Sequence, residues 1–72
     1  MLLDMKNNIK VERARMNITQ AELSKLIGVS RQTINAIELG KYVPSTLLTL
    51  RMAKVFNCKV EDIFQLEDKD LL

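Results

Sequence analysis

The 72-residue chain has no histidine and no tryptophan, one cysteine (Cys58), one proline (Pro44) and two glycines (Gly28 and Gly40). Each shortage closes off a class of chemistry. Without histidine the commonest general base is missing, and neither a Ser-His-Asp nor a Cys-His site can be built within one chain. A lone cysteine makes no intrachain disulfide and, with no histidine beside it, no structural zinc site. The two glycines stand too far apart for a phosphate-cradling loop. The longest uninterrupted apolar run is three residues, so neither a transmembrane helix nor a secretory h-region is expected, and no membrane partner. A carboxylate or lysine enzyme stays open on residue types alone, but so short a chain leaves little room for a closed pocket. The expectation is a non-enzyme, with no catalytic residue, no cofactor and no metal. The unpaired thiol suits the cytoplasm.

What is present points to one small helical domain. Hydrophobic residues make up 47% of the chain and charged residues 28%, near the globular average. One core fits this length, and it calls for helical packing, oligomerisation or both to be stable. The net charge of +2 is distributed unevenly: residues 1–45 carry seven basic and four acidic groups, residues 46–72 four basic and five acidic. All five of those acids lie between Glu61 and Asp70. A basic front and an acidic tail suit a polyanion on one face only, although ordinary surface charge would read the same way.

Helix punctuation recurs five times. Residues 1–7 read as a flexible start. Asn8 stands as N-cap of a first helix over 9–16, whose stripe Ile9, Arg13, Met16 places an arginine among apolar residues. That arginine either snorkels or meets a buried acid. Thr19-Gln20-Ala21-Glu22 reads as a capping box opening a second helix to Ile27, with Leu23, Leu26 and Ile27 as its apolar face. Gly28 supplies the left-handed residue after it. Ser30 caps a third helix over 31–39 that Gly40 ends. Ser45 caps a fourth over 46–56, apolar most of the way round and therefore expected to be central. A short fifth helix, 60–65, carries Val60, Ile63 and Phe64. Met16 and Met52 read as filler and core, and Cys58 as a small turn residue.

The second and third helices are joined by about three residues around Gly28, which forces a sharp crossing. Close approach requires a small residue at the crossing, and Ser24 fits. Leu23, Ile27, Val29, Ile34 and Ile37 then form one seam. On these residues residues 9–66 resemble the phage-repressor and Cro-like (XRE) helix-turn-helix family. The carrying stretches are Thr19–Leu23, Ile27–Ile34 and Ile37–Lys41, with Pro44-Ser45, Ala53–Phe56 and Val60–Phe64 matching the later helices. The resemblance implies an all-α, compact five-helix domain of lambda-repressor-like type over 8–66, with the helix-turn-helix at 20–39; by its residues an acidic tail follows at 67–72. It also implies binding to operator DNA, usually as a dimer.

Family pattern and geometry agree that the third helix enters the major groove by its N-terminal end. Arg31, Gln32 and Thr33 fill its first turn, and Asn35 and Ala36 follow on the outer side. Arginine can fork onto guanine, glutamine or asparagine can pair with adenine, and alanine or a threonine methyl can touch a thymine methyl. The same residues would also make an ordinary solvated helix face. Arg31 has a phosphate, and Asn35 a backbone role, as alternatives. The resemblance assigns phosphate contacts to Gln20 at the start of the second helix and to Lys41 and Tyr42 after the third. It pairs Arg13 with Glu38 as a structural ion pair.

The function expected is a sequence-specific regulator on double-stranded DNA, acting as a repressor by occupying a palindromic operator, with activation through polymerase left open. A homodimer follows from how few base pairs one copy reads, with Phe64, Leu66, Leu71 and Leu72 as its candidate surface. The rival is a protein-interaction module, an antitoxin or adaptor with a protein partner, favoured by the modest net charge and the acidic, leucine-ended tail.

Overall fold

The computed structural model describes residues 6–68. In chain order it contains β1 (Lys6–Asn7), α1 (Ile9–Met16), α2 (Gln20–Ile27), α3 (Arg31–Glu38), α4 (Thr46–Phe56), α5 (Val60–Ile63) and β2 (Phe64–Gln65). Five helices thus form the body, and a two-stranded antiparallel ribbon pairs Lys6 with Gln65 and Asn7 with Phe64.

Local chemistry sets most boundaries. Thr19 and Glu22 form a reciprocal capping box: the Glu22 N–H donates to Thr19 Oγ1 at 3.0 Å and the Thr19 N–H to Glu22 Oε1 at 2.9 Å. Ser30 and Ser45 accept from the Thr33 and Leu48 amides in the same manner. At the end of α2 the Ser24 carbonyl takes the amides of both Gly28 and Val29. Gly28 has φ +81°, and a Cβ built there would meet nothing closer than 3.5 Å. Conformation rather than space therefore demands glycine. Asn17 and Asn57 serve as the left-handed caps of α1 and α4, with φ 57° and 52°.

Eight side chains make the core: Ile9, Leu23, Ile27, Ile34, Ile37, Met52, Phe56 and Ile63. Every helix contributes: α2, α3 and α4 give two side chains each, and α1 and α5 one each. Ser24 is buried there and its hydroxyl donates to the Ala21 carbonyl at 2.6 Å, so the small polar residue leaves no unpaired group at the crossing. Truncating Leu23 or Ile34 to alanine would cost about 2–5 kcal/mol by the usual cavity cost.

Several expectations are corrected. Residues 6–7 are not a free start but a strand, while residues 1–5 lie outside the described part. Asn8 holds the N-cap position of α1 without capping it. Its amide nitrogen donates instead to Asp62 O at 3.1 Å, and Asn7 Oδ1 takes the Ile9 N–H at 3.3 Å. Of the expected stripe Ile9 is buried and Arg13 half-buried, but Met16 is exposed, and Glu12, off the stripe, is buried; Glu12 lies 3.6 Å from Arg15. Leu26 is 58% exposed, because Leu23 and Ile27 already face the core and Leu26 falls on the flank. α4 buries only Met52 and Phe56, and its Leu47 and Leu50 face solvent. α3 stops at Glu38. α5 stops at Ile63 because pairing with β1 draws Phe64 and Gln65 into extended backbone.

Candidate nucleic-acid interface

The site is built on the N-terminal ends of α2 and α3. The Ser30 cap turns α3 so that Ile34 and Ile37 point inward. Arg31, Gln32 and Asn35 are thereby exposed, while Thr33 and Ala36 are half-buried. Thr33 Oγ1 lies 2.9 Å from Ser30 Oγ, so its hydroxyl is engaged within the cap.

A chain of polar contacts links α1, α2 and α3. Arg13 Nε donates to Glu38 Oε2 at 2.7 Å and Nη2 to Oε1 at 3.2 Å, a forked pair. Its third nitrogen, Nη1, donates to the Ile18 carbonyl at 3.1 Å. The hydrogen bond to Glu38 raises the Arg13 pKa further, so the guanidinium stays charged. Gln20 Nε2 then donates to Glu38 Oε1 at 3.3 Å and to Asn35 Oδ1 at 3.2 Å, and Gln20 Oε1 accepts from Arg31 Nη1 at 3.5 Å. Five sequence-predicted residues are therefore joined: Arg13, Gln20, Arg31, Asn35 and Glu38. The arrangement locks the face of α2 against that of α3, and leaves the Arg31 and Gln32 ends toward solvent.

Beside this chain lies an open groove lined by Arg13, Ala14, Asn17 to Ala21, and Arg31. The first amides of α2 border it, and they have no intrahelical acceptor. Amides of this kind next to an arginine make a seat for an anion. Lys41 and Tyr42 stand apart from the network, exposed beyond the end of α3. Tyr42 borders a small cleft with Asn7, Pro44 and Phe64.

Two residues that the sequence did not single out, Arg51 and Asn7, hold the site's helices, and Asn8 makes a tie other than the cap expected of it. Arg51 Nη1 donates to the Ile27 carbonyl at 3.1 Å, closing the end of α2 from α4. Asn7 Nδ2 donates to the Ile37 and Glu38 carbonyls at 3.1 and 3.4 Å, and Asn8 ties α1 to α5. Their targets are main-chain carbonyls far along the chain, which leave no local sequence signal. Cys58 is half-buried, and burial, then Glu12 and Asp62, push its thiol pKa up. Among the described residues no group of three or more His, Cys, Asp or Glu could hold a metal ion. No helix there is long and apolar enough to cross a membrane.

A helix-turn-helix family model matches residues 9–63. An uncharacterized HTH-type transcriptional regulator of Methanocaldococcus jannaschii is 56% identical over 66 residues, covering 92% of this chain and 100% of that protein. A Bacillus subtilis protein of the same description is 50% identical over 66 residues, with the same coverage. Among solved structures, the P22 c2 repressor in complex with a synthetic operator is similar at a TM-score of 0.70 and 30% identity, covering 74% of this chain and 80% of that one. The SOS-response repressor LexA from Eubacterium rectale is similar at 0.74 and 31% identity, covering 85% and 65%. With a family model over most of its length and relatives matched end to end, the chain belongs to the phage-repressor and Cro-like (XRE) helix-turn-helix family of transcriptional regulators.

Proposed function

We propose that this regulator reads double-stranded DNA in a sequence-specific manner and represses by occupying a palindromic operator as a homodimer. The observation that carries the reading is the first turn of α3: Arg31 and Gln32 are exposed on a helix end held in place by Ser30, Gln20 and the Arg13–Glu38 pair. Such an end enters a major groove, where Arg31, Gln32, Asn35 and the Thr33 and Ala36 methyls meet base edges. Gln20, Lys41 and Tyr42 flank it and take phosphates, which fix register without reading sequence. The similar P22 c2 repressor is itself held on an operator. One copy reads only a few base pairs, so two copies related by a two-fold axis, with recognition helices about 34 Å apart, give useful selectivity. Leu66 is 60% exposed and Phe64 half-buried, and they form the described part of the dimer surface; Leu71 and Leu72 lie outside the described residues. Occupancy of a promoter is then the simplest route to repression.

A second reading, a module whose main partner is another protein, draws on the exposed Leu47 and Leu50 of α4. Selection of bound sequences from a random double-stranded pool decides between them. A recovered inverted repeat supports the operator reading and its two-fold symmetry. A pool that stays random after several rounds overturns it.

A further inference from the structure

The C-terminal end of α3 is gripped from outside the helix-turn-helix. A helix leaves its last four carbonyls without intrahelical donors. In α3, Asn35 O takes the Leu39 amide, Ala36 O that of Lys41 and Ile37 O that of Gly40, at 2.9–3.0 Å. The Glu38 carbonyl is met by the side chain of Asn7, whose Nδ2 lies 3.4 Å away and also donates to Ile37 O at 3.1 Å. A primary amide has the two hydrogens this requires. The other end of that side chain, Oδ1, takes the Ile9 N–H, and the Asn7 main chain is paired with Phe64 in the ribbon. The last residue of α3 is thus fixed twice from the start of the chain: its carboxylate by Arg13 and its carbonyl by Asn7.

We infer that Asn7 is a positioning residue for DNA readout, setting the axis of α3 without contributing a base contact. The inference rests on the DNA-binding reading above. α3 has eight residues, so it is about 12 Å long, and a tilt of about 10° at its C-terminal pivot moves the first turn by about 2 Å. That exceeds the whole range of a good hydrogen bond, about 0.5 Å. Base-edge contacts from Arg31 and Gln32 are therefore lost, while long side chains follow the phosphates. Asn7 governs discrimination between sequences more than total affinity.

Two variants separate its bonds. Asn7→Ala removes both ends. Asn7→Asp keeps an oxygen for the Ile9 amide and replaces the donor to α3 with an acceptor facing carbonyls. Each is titrated against the site selected by the wild type and against random duplex, at a temperature where circular dichroism shows it fully folded. The ratio of the two affinities should fall about tenfold in both variants, the worth of two modest hydrogen bonds, with binding to random duplex and its salt dependence held. A merely stabilising role would leave the ratio of the folded protein unchanged. In 15N–1H spectra without DNA, α3 amide signals should shift and those at the start of α2 should stay. A wild-type ratio in both variants overturns the inference, as does failure of both to fold, which would make Asn7 a determinant of the fold at large. If the wild type itself shows no preference between sequences, the DNA reading has failed, and the spectra alone judge Asn7: unmoved α3 signals overturn its role.

Discussion

The guanidinium of Arg13 closes on the carboxylate of Glu38 through two nitrogens, at 2.7 and 3.2 Å, with side chains only 15% and 9% exposed. The pair joins α1 to the last residue of α3. Both residues are half-buried; removing one member of a fully buried pair strands the other charge, at about 3–5 kcal/mol. Here Gln20 Nε2 still donates to Glu38, which places Arg13→Met toward the lower end. A small domain has about 5 kcal/mol in total, so the variant should unfold at a much lower urea concentration. A wild-type urea midpoint would mean that solvent satisfies Glu38 unaided.

Gln32 tests base reading. It is exposed on the first turn of α3, outside the polar chain formed by Arg13, Glu38, Gln20, Asn35 and Arg31. Gln32→Ala should weaken the best site by about 1–3 kcal/mol and relax preference at one base pair. Gel shifts on the selected site and on single-base variants measure both. Equal weakening on every duplex would reassign Gln32 to the phosphates.

Lys41 tests phosphate anchoring. Exposed just past α3, it should matter alike for all sequences. Lys41→Ala should reduce the slope of log affinity against log salt by about one. Titrations over a range of salt check this, and an unaltered slope removes Lys41 from the contact set.

The capping box tests the entry to α2. The Thr19 N–H, and after it the Thr19 hydroxyl, hold the Glu22 carboxyl below the ordinary carboxylate range. A carboxyl with a lowered folded pKa contributes stability above its unfolded value, and loses it as pH falls through the folded one. Wild type should therefore melt above Glu22→Gln at neutral pH, and the two melting curves should converge in acid. A gap that persists unchanged at low pH would show that charge has no part in the box.

The parts of the fold that could be read in the sequence were those fixed by neighbours in the chain. Thr19, Ser30 and Ser45 cap their helices because hydroxyl and amide lie three residues apart, and Gly28 ends α2 because its backbone must be left-handed. Ser24 and the seam around it follow from one tight turn. Periodicity was weaker evidence. It grouped Leu26 with Leu23 and Ile27, although α2 turns its Leu23, Ser24 and Ile27 side inward and leaves Leu26 on the flank. It carried the last helix into Phe64 and Gln65, where two residues are too few to display a strand's alternation. The exposed side of α4 could not be read at all, since leucines line both its faces. At the site, exposure of Arg31 and Gln32 followed from the Ser30 cap. The grips of Asn7 and Arg51 did not, because their acceptors are carbonyls 24 to 31 residues away and every residue has a carbonyl.

The ribbon has a consequence for motion. Each strand is two residues long and Lys6 is exposed, so it belongs to the low-stability end of the molecule, where local opening precedes global unfolding. Opening it would free Asn7 from α3 while the core around Leu23 and Ile34 remained closed. On the DNA-binding reading proposed above, such opening would slacken α3 without unfolding it, an arrangement for passing over arbitrary duplex, and closure would restore the form that reads its site. Native-state hydrogen exchange should find the β1 and β2 amides opening well before those of α2, and site-bound DNA should slow the ribbon selectively.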